Sequence, residues 1–183
     1  MSHHLRRHCG RLYFEQMGAK RDRIRTEANP KRKHPAQREQ RLLVFHINDS
    51  TDDQVLFQAA CKKAGVPLEW QVADSSARAK EFFESMLSLS RTQAVQWPDL
   101  VVLDLVMPGG SGFQVLEYIR NTPELSALPV IILTGIASIE RMEKAYGLGA
   151  NSFHEKPVSF ADMVTLVGTI YTMWSSARRP VIR

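Results

Sequence analysis

Three short runs of nearly unbroken apolar residues, Leu42–Ile47, Leu100–Leu103 and Val130–Leu133, most constrain what this chain can fold into. A strand with one wet face alternates apolar and polar side chains, whereas a run that is apolar at almost every position must be covered on both faces. Stretches with helical spacing separate these runs: Thr51–Ala64, Ser76–Ser90, Phe113–Asn121, Ile139–Leu148 and Phe160–Trp174. Two weaker strand patterns, Leu68–Ala73 and Asn151–His154, complete five alternating strand–helix pairs.

Alternation of this kind implies a parallel sheet with helices on both faces, joined by right-handed crossovers. The expected fold is α/β, a doubly wound five-stranded sheet of flavodoxin-like type in strand order 2-1-3-4-5. The helix boundaries carry their own signals. Thr51–Ala64 has Asp52 and Asp53 in its first turn, Lys62 and Lys63 in its last, and Gly65 just beyond, which suits the helix dipole. The last helix is opened by the capping pattern Ser159-x-x-Asp162.

The 183 residues are 44% hydrophobic and 23% charged, which fits one globular domain with some unstructured excess. The formal charge of +5 is unevenly spread. Residues 1–40 hold 11 Lys and Arg against 4 Asp and Glu, a net of +7, so the remainder carries −2. This segment is read as a basic, disordered N-terminal arm, followed by a folded domain at 41–175 and a tail at 176–183. The run Lys31-Arg32-Lys33-His34 allows electrostatic contact with nucleic acid or an anionic membrane, but no aromatic interleaving supports a specific site. No apolar stretch approaches the roughly 20 residues of a membrane span. Cys9 and Cys61 form no multi-bridge framework, so a reducing cytoplasmic location is expected.

In a doubly wound sheet, ligands sit outside the carboxyl ends of the strands. Asn48 and Asp49 follow the first strand, Asp104 closes the third, Thr134 closes the fourth, and Lys156 follows the fifth. Taken singly, Asp49 reads as a turn acid, Thr134 as a β-branched strand residue and Lys156 as a surface charge. Asp104 is different, because an aspartate flanked by Leu103, Leu105 and Val106 is costly to bury without a partner. Two carboxylates brought close together repel unless a cation shares them, and oxygen ligands with room for water favour Mg²⁺. Lys156 would supply opposing positive charge to an incoming phosphoryl group, and Thr134 a charge-assisted hydrogen bond to it.

The segment Pro98-Asp99-Leu100-Val101-Val102-Leu103-Asp104-Leu105-Val106-Met107-Pro108, with Gly112, Thr134-Gly135 and Lys156-Pro157, resembles the receiver domain of bacterial response regulators, the CheY-like domains. The spacings of 30 residues from Asp104 to Thr134 and 22 from there to Lys156 agree with that family. The resemblance implies that Asp104 is the phosphoacceptor and Asp49 a direct Mg²⁺ ligand, with the main-chain carbonyl of Val106 as another. It makes Thr134 and Phe153 switch residues and implies a cis Lys156–Pro157 bond. The late Trp174 and the long stretch before the third strand look like small single-domain regulators that partner phytochrome-type histidine kinases. The implied function is a phosphorelay switch, not an enzyme on other substrates. It would change its affinity for a downstream protein, or its homodimerisation, with no membrane role and no nucleic acid expected on the core domain.

The chain departs from the family at Asn48, where an acid usually stands. An amide there would orient a metal-bound water, with weaker Mg²⁺ affinity and phosphorylation retained. Val106 and Ile136 are apolar where many relatives carry groups that guide a hydrolytic water, which implies a long-lived acyl phosphate. Two competing readings remain: a pseudo-receiver that binds partners without being phosphorylated, and a DNA-associated regulator acting through residues 1–40.

Overall fold

The computed structural model of the protein describes residues 41–107 and 110–175. The expectations for the arm at 1–40 and the tail at 176–183, and Pro108 at the end of the acceptor motif, lie outside the described residues. In chain order the elements are β1 (Leu42–Ile47), α1 (Thr51–Ala64), β2 (Leu68–Ala73), α2 (Ser76–Ser90), β3 (Leu100–Leu103), β4 (Val106–Met107), β5 (Gly110–Ser111), α3 (Gly112–Asn121), β6 (Val130–Thr134), α4 (Ile139–Gly147), β7 (Ser152–Glu155) and α5 (Phe160–Ser175). No described helix is long and apolar enough to cross a membrane.

The main sheet has the order β2-β1-β3-β6-β7 with every pair parallel. Counting only its own strands, this is the expected 2-1-3-4-5. The apolar runs occupy the middle: every residue of β1, β3 and β6 is buried, whereas β2 and β7 at the edges are only partly covered. Because successive side chains point to opposite faces, each central strand feeds two cores. Phe45, Ile47, Val101, Leu103, Val130 and Ile132 pack on one face with Phe83 of α2 and Leu116 and Ile119 of α3. Leu42, Val44, Leu100, Val102, Ile131 and Leu133 pack on the other with Phe57 of α1 and Met163, Val167 and Ile170 of α5.

The caps follow the sequence. Ser50 accepts from the Asp53 N–H at the start of α1, and Gly65 ends that helix at φ 65°, a left-handed conformation in which a side chain is strained. Ser111 and Gln114 form a reciprocal capping box on α3, and Ser159 accepts from the Asp162 N–H on α5.

Three local features differ from expectation. The two-residue antiparallel ladder of β4 with β5 went unforeseen, since two residues carry no periodicity. The last strand starts at Ser152 rather than Asn151, whose side chain instead accepts from the Val130 N–H at 2.8 Å and from Arg120 at 3.0 Å. Among the described residues no peptide bond is cis, so Lys156–Pro157 is trans. Trans is the intrinsically favoured X–Pro form by about 0.5–1 kcal/mol. The Lys156 N–H, donating to the Thr134 carbonyl at 2.8 Å, extends the β6–β7 ladder and directs the lysine inward without a cis bond.

Candidate functional site

The site forms where β1, β3, β6 and β7 end together. Asp104 lies one residue beyond β3, and its N–H donates to the Ile47 carbonyl at 2.9 Å, which sets it beside Asn48 and Asp49. It is 5% exposed. One carboxylate oxygen accepts from the Val106 N–H at 3.0 Å, and the other accepts from Lys156 Nζ at 2.5 Å. The carboxylate that seemed too costly to bury alone therefore has both a charged and a neutral donor.

Lys156 reaches this position from the end of β7. Its ammonium also donates to Asp53 Oδ2 at 2.6 Å. Burial by itself would lower the pKa of this lysine, but the hydrogen bonds it donates to the Asp104 and Asp53 carboxylates, with their negative charges, outweigh that and hold it above its ordinary value. Lys156 is thus firmly charged. Asp53 was read from the sequence only as a first-turn helix acid. Its place in the first turn of α1, the turn that follows directly on the end of β1, was the available signal that it lies near the same rim.

Thr134 ends β6, the strand next to β3, and its hydroxyl is fully buried without a hydrogen-bond partner among the described residues. A buried hydroxyl in that condition is uncommon and suits an acceptor that arrives later. Phe153 stands opposite Ile132, on the same sheet face as Thr134, and is partly buried against the α2/α3 core. Gly135 leaves room here, because a Cβ would meet only the Lys156 stem at 4.0 Å.

Asp49 is half-buried, with no hydrogen bond or ion pair among the described residues, so its carboxylate is available. Asn48 is 1% exposed. Its Oδ1 accepts from the Ser50 N–H at 2.9 Å, and its Nδ2 has no partner. The amide expected to orient a metal-bound water therefore uses its oxygen to build the turn into α1. No group of three or more His, Cys, Asp or Glu gathers as a metal site among the described residues. A cation here would rest on Asp49 and Asp104 with main chain and water, which matches the habit of Mg²⁺ to keep several waters. The donor chemistry fits that ion.

His46 lies beneath the rim, 2% exposed and 4.6 Å from the Phe57 ring. Burial, aided by the Lys156 charge, pushes its pKa down to about 4, so it is neutral at ordinary pH. Outside the pocket, Ile139, Met142 and Tyr146 form an exposed apolar stripe at i, i+3 and i+7 along α4, with exposed Ile136 three residues before it.

Residues 47–168 match the family model described as the response regulator receiver domain. The probable methanogenesis regulatory protein FilR2 of Methanothrix harundinacea is 29% identical over 135 residues, 73% of this chain and 83% of that protein. Response regulator Rcp1 of Synechocystis is 25% identical over 132 residues, 72% of this chain and 88% of that protein. Among solved structures, the phosphorylated cyanobacterial phytochrome response regulator RcpA superposes with a TM-score of 0.67 at 26% identity, covering 76% of this chain and 99% of that one. With a matching sheet order and a family match across two thirds of its length, the chain belongs to the response regulator receiver domain family.

Proposed function

We propose that the protein is a phosphoacceptor switch of two-component signalling, in which Asp104 takes a phosphoryl group from a sensor histidine kinase. The observation that carries this reading is the Lys156 ammonium held against the buried Asp104 carboxylate, on a rim that also holds a buried Thr134 hydroxyl without a partner. An Asp104 oxygen attacks the phosphorus of a phosphohistidine, the P–N bond breaks, and an acyl phosphate forms. Asp49, Asp104 and the Val106 carbonyl would hold Mg²⁺, which would supply positive charge against the phosphoryl oxygens. Lys156 donates to one of those oxygens and Thr134 to another.

The added charge of about −1.5 to −2 favours whichever conformation brings Thr134 and Lys156 onto the phosphate. Phe153, on the Thr134 face of the sheet, follows that movement inward. The apolar stripe of α4 is the surface whose partner affinity changes, either for a downstream protein or for a second copy of the chain. The protein so read acts in the cytoplasm and catalyses only its own phosphotransfer and dephosphorylation. Residues 41–175 are its receiver unit, with 1–40 and 176–183 as flanking segments. A phytochrome-type kinase is the favoured donor, on the name of the similar phytochrome response regulator RcpA.

The pseudo-receiver reading rests on one observation, the use of Asn48 in the turn to Ser50. Light scattering and partner binding with and without beryllofluoride plus Mg²⁺ separate the two. A phosphoacceptor shows a changed mass or affinity that Asp104→Asn abolishes; a pseudo-receiver shows no change.

A further inference from the structure

Position 48 is an amide rather than an acid, yet the pocket does not lack a third carboxylate. Asp53, in the first turn of α1, places Oδ2 at 2.6 Å from Lys156 Nζ, while Asp104 holds the same ammonium at 2.5 Å. The turn that presents Asp53 is pinned twice: its N–H donates to Ser50 Oγ at 3.2 Å, and Gln54 Nε2 donates to the Asn48 carbonyl at 2.6 Å. Its neighbour Asp52 is exposed, and its side chain makes no hydrogen bond or ion pair among the described residues. Two acids in one helical turn thus have different surroundings, and only one faces the rim.

An ammonium has three N–H groups, and two are already engaged by carboxylates, leaving one for an incoming oxygen. When Asp104 becomes an acyl phosphate, the oxygen that held Lys156 is changed, and a lysine with a single partner would be released. Asp53 keeps the ammonium in place through that change. The charges also balance: Asp49, Asp53 and Asp104 against Lys156 leave a formal −2, which one divalent cation neutralises, whereas without Asp53 the figure is −1.

We propose that Asp53 is a positioning residue for phosphoryl transfer, holding Lys156 beside Asp104 and supplying the carboxylate charge that position 48 does not. The inference rests on the phosphoacceptor reading above. It is tested on the full chain with Asp53→Asn, Asp53→Glu and the control Asp52→Asn, each also in a Lys156→Met background. Two quantities are read: Mg²⁺ affinity by calorimetric titration, and the rate of phosphorylation by acetyl phosphate. Asp53→Asn should weaken Mg²⁺ binding by about three- to tenfold, given a partly exposed charge. It should also slow phosphorylation, with Asp53→Glu recovering part of both losses and Asp52→Asn changing neither. The rate effect should vanish in the Lys156→Met background. Equal effects from Asp53→Asn and Asp52→Asn would overturn the proposal, as would a rate effect undiminished without Lys156. If the wild-type chain takes no phosphate, the phosphoacceptor reading and the transfer role of Asp53 both fail, and the Mg²⁺ titration decides only whether Asp53 supplies carboxylate charge to the site.

Discussion

Replacing Lys156 by Met removes one charge and keeps most of the side chain's length, so its consequences can be worked from the contacts. In the wild type the Lys156 side chain, 16% exposed, joins the side chains of Asp104 at 6% and Asp53 at 38%. Breaking a fully buried pair by removing one partner costs about 3–5 kcal/mol. Asp53 can turn to water, so it adds little. Asp104 keeps only the Val106 N–H, and the net expectation is a loss of about 2–3 kcal/mol. Urea unfolding without divalent ions measures this directly. Adding Mg²⁺ should restore more stability to the variant than it gives the wild type, because the ion replaces the missing cation. An ion at a hundredfold above its dissociation constant contributes about 2.7 kcal/mol. Adding Asp104→Asn to the variant should recover much of the loss, since removing both charges leaves nothing stranded. A Lys156→Met protein within about 0.5 kcal/mol of wild type, or a deficit that Mg²⁺ leaves unchanged, would refute the reasoning.

Gly112→Ala would set a Cβ against the Asp104 carbonyl and the Leu105 Cα, both backbone atoms, so the acceptor segment must move. A loss of about 1–2 kcal/mol and slower phosphorylation are expected, the overpacking outweighing the better helix propensity, as thermal unfolding and acetyl phosphate kinetics would show. His46 has a folded pKa of about 4 against an ordinary 6.5, so the unfolded chain binds the proton first as pH falls. Its contribution is complete above about pH 6.5 and is lost on descending towards pH 4, up to about 3 kcal/mol; urea unfolding of His46→Leu should show a flatter acid slope than the wild type. Val106 and Ile136 are 42% and 54% exposed at the rim and offer an attacking water no hydrogen bond. Val106→Asn should therefore shorten the phosphorylated lifetime by roughly tenfold in a decay assay.

The sheet was legible because its central strands are buried on both faces, which forces apolar residues such as Val101 and Val102 at successive positions. Its edges were less so. Asn151 reads as a strand residue by position, yet its side chain serves Arg120 and the Val130 N–H, a tertiary use that no local pattern announces. The pairing of Asp104 with Lys156 is compatible with the strand order, since both follow strands that end on one rim with only β6 between them. The Asp53 contact did not, because a first-turn acid already has a sufficient local explanation in the helix dipole. The same holds for Asn48, whose hydrogen bond to Ser50 depends on the backbone path into α1.

The account turns on whether the carboxylate of Asp104 carries the phosphoryl group. Incubation with acetyl phosphate and Mg²⁺, followed by peptide mass mapping, asks that of the molecule directly. The expected result is one added phosphoryl group, on the peptide containing Asp104, dependent on Mg²⁺ and absent from Asp104→Asn. Label on another residue, or an unmodified protein under conditions that phosphorylate a known receiver, would contradict it.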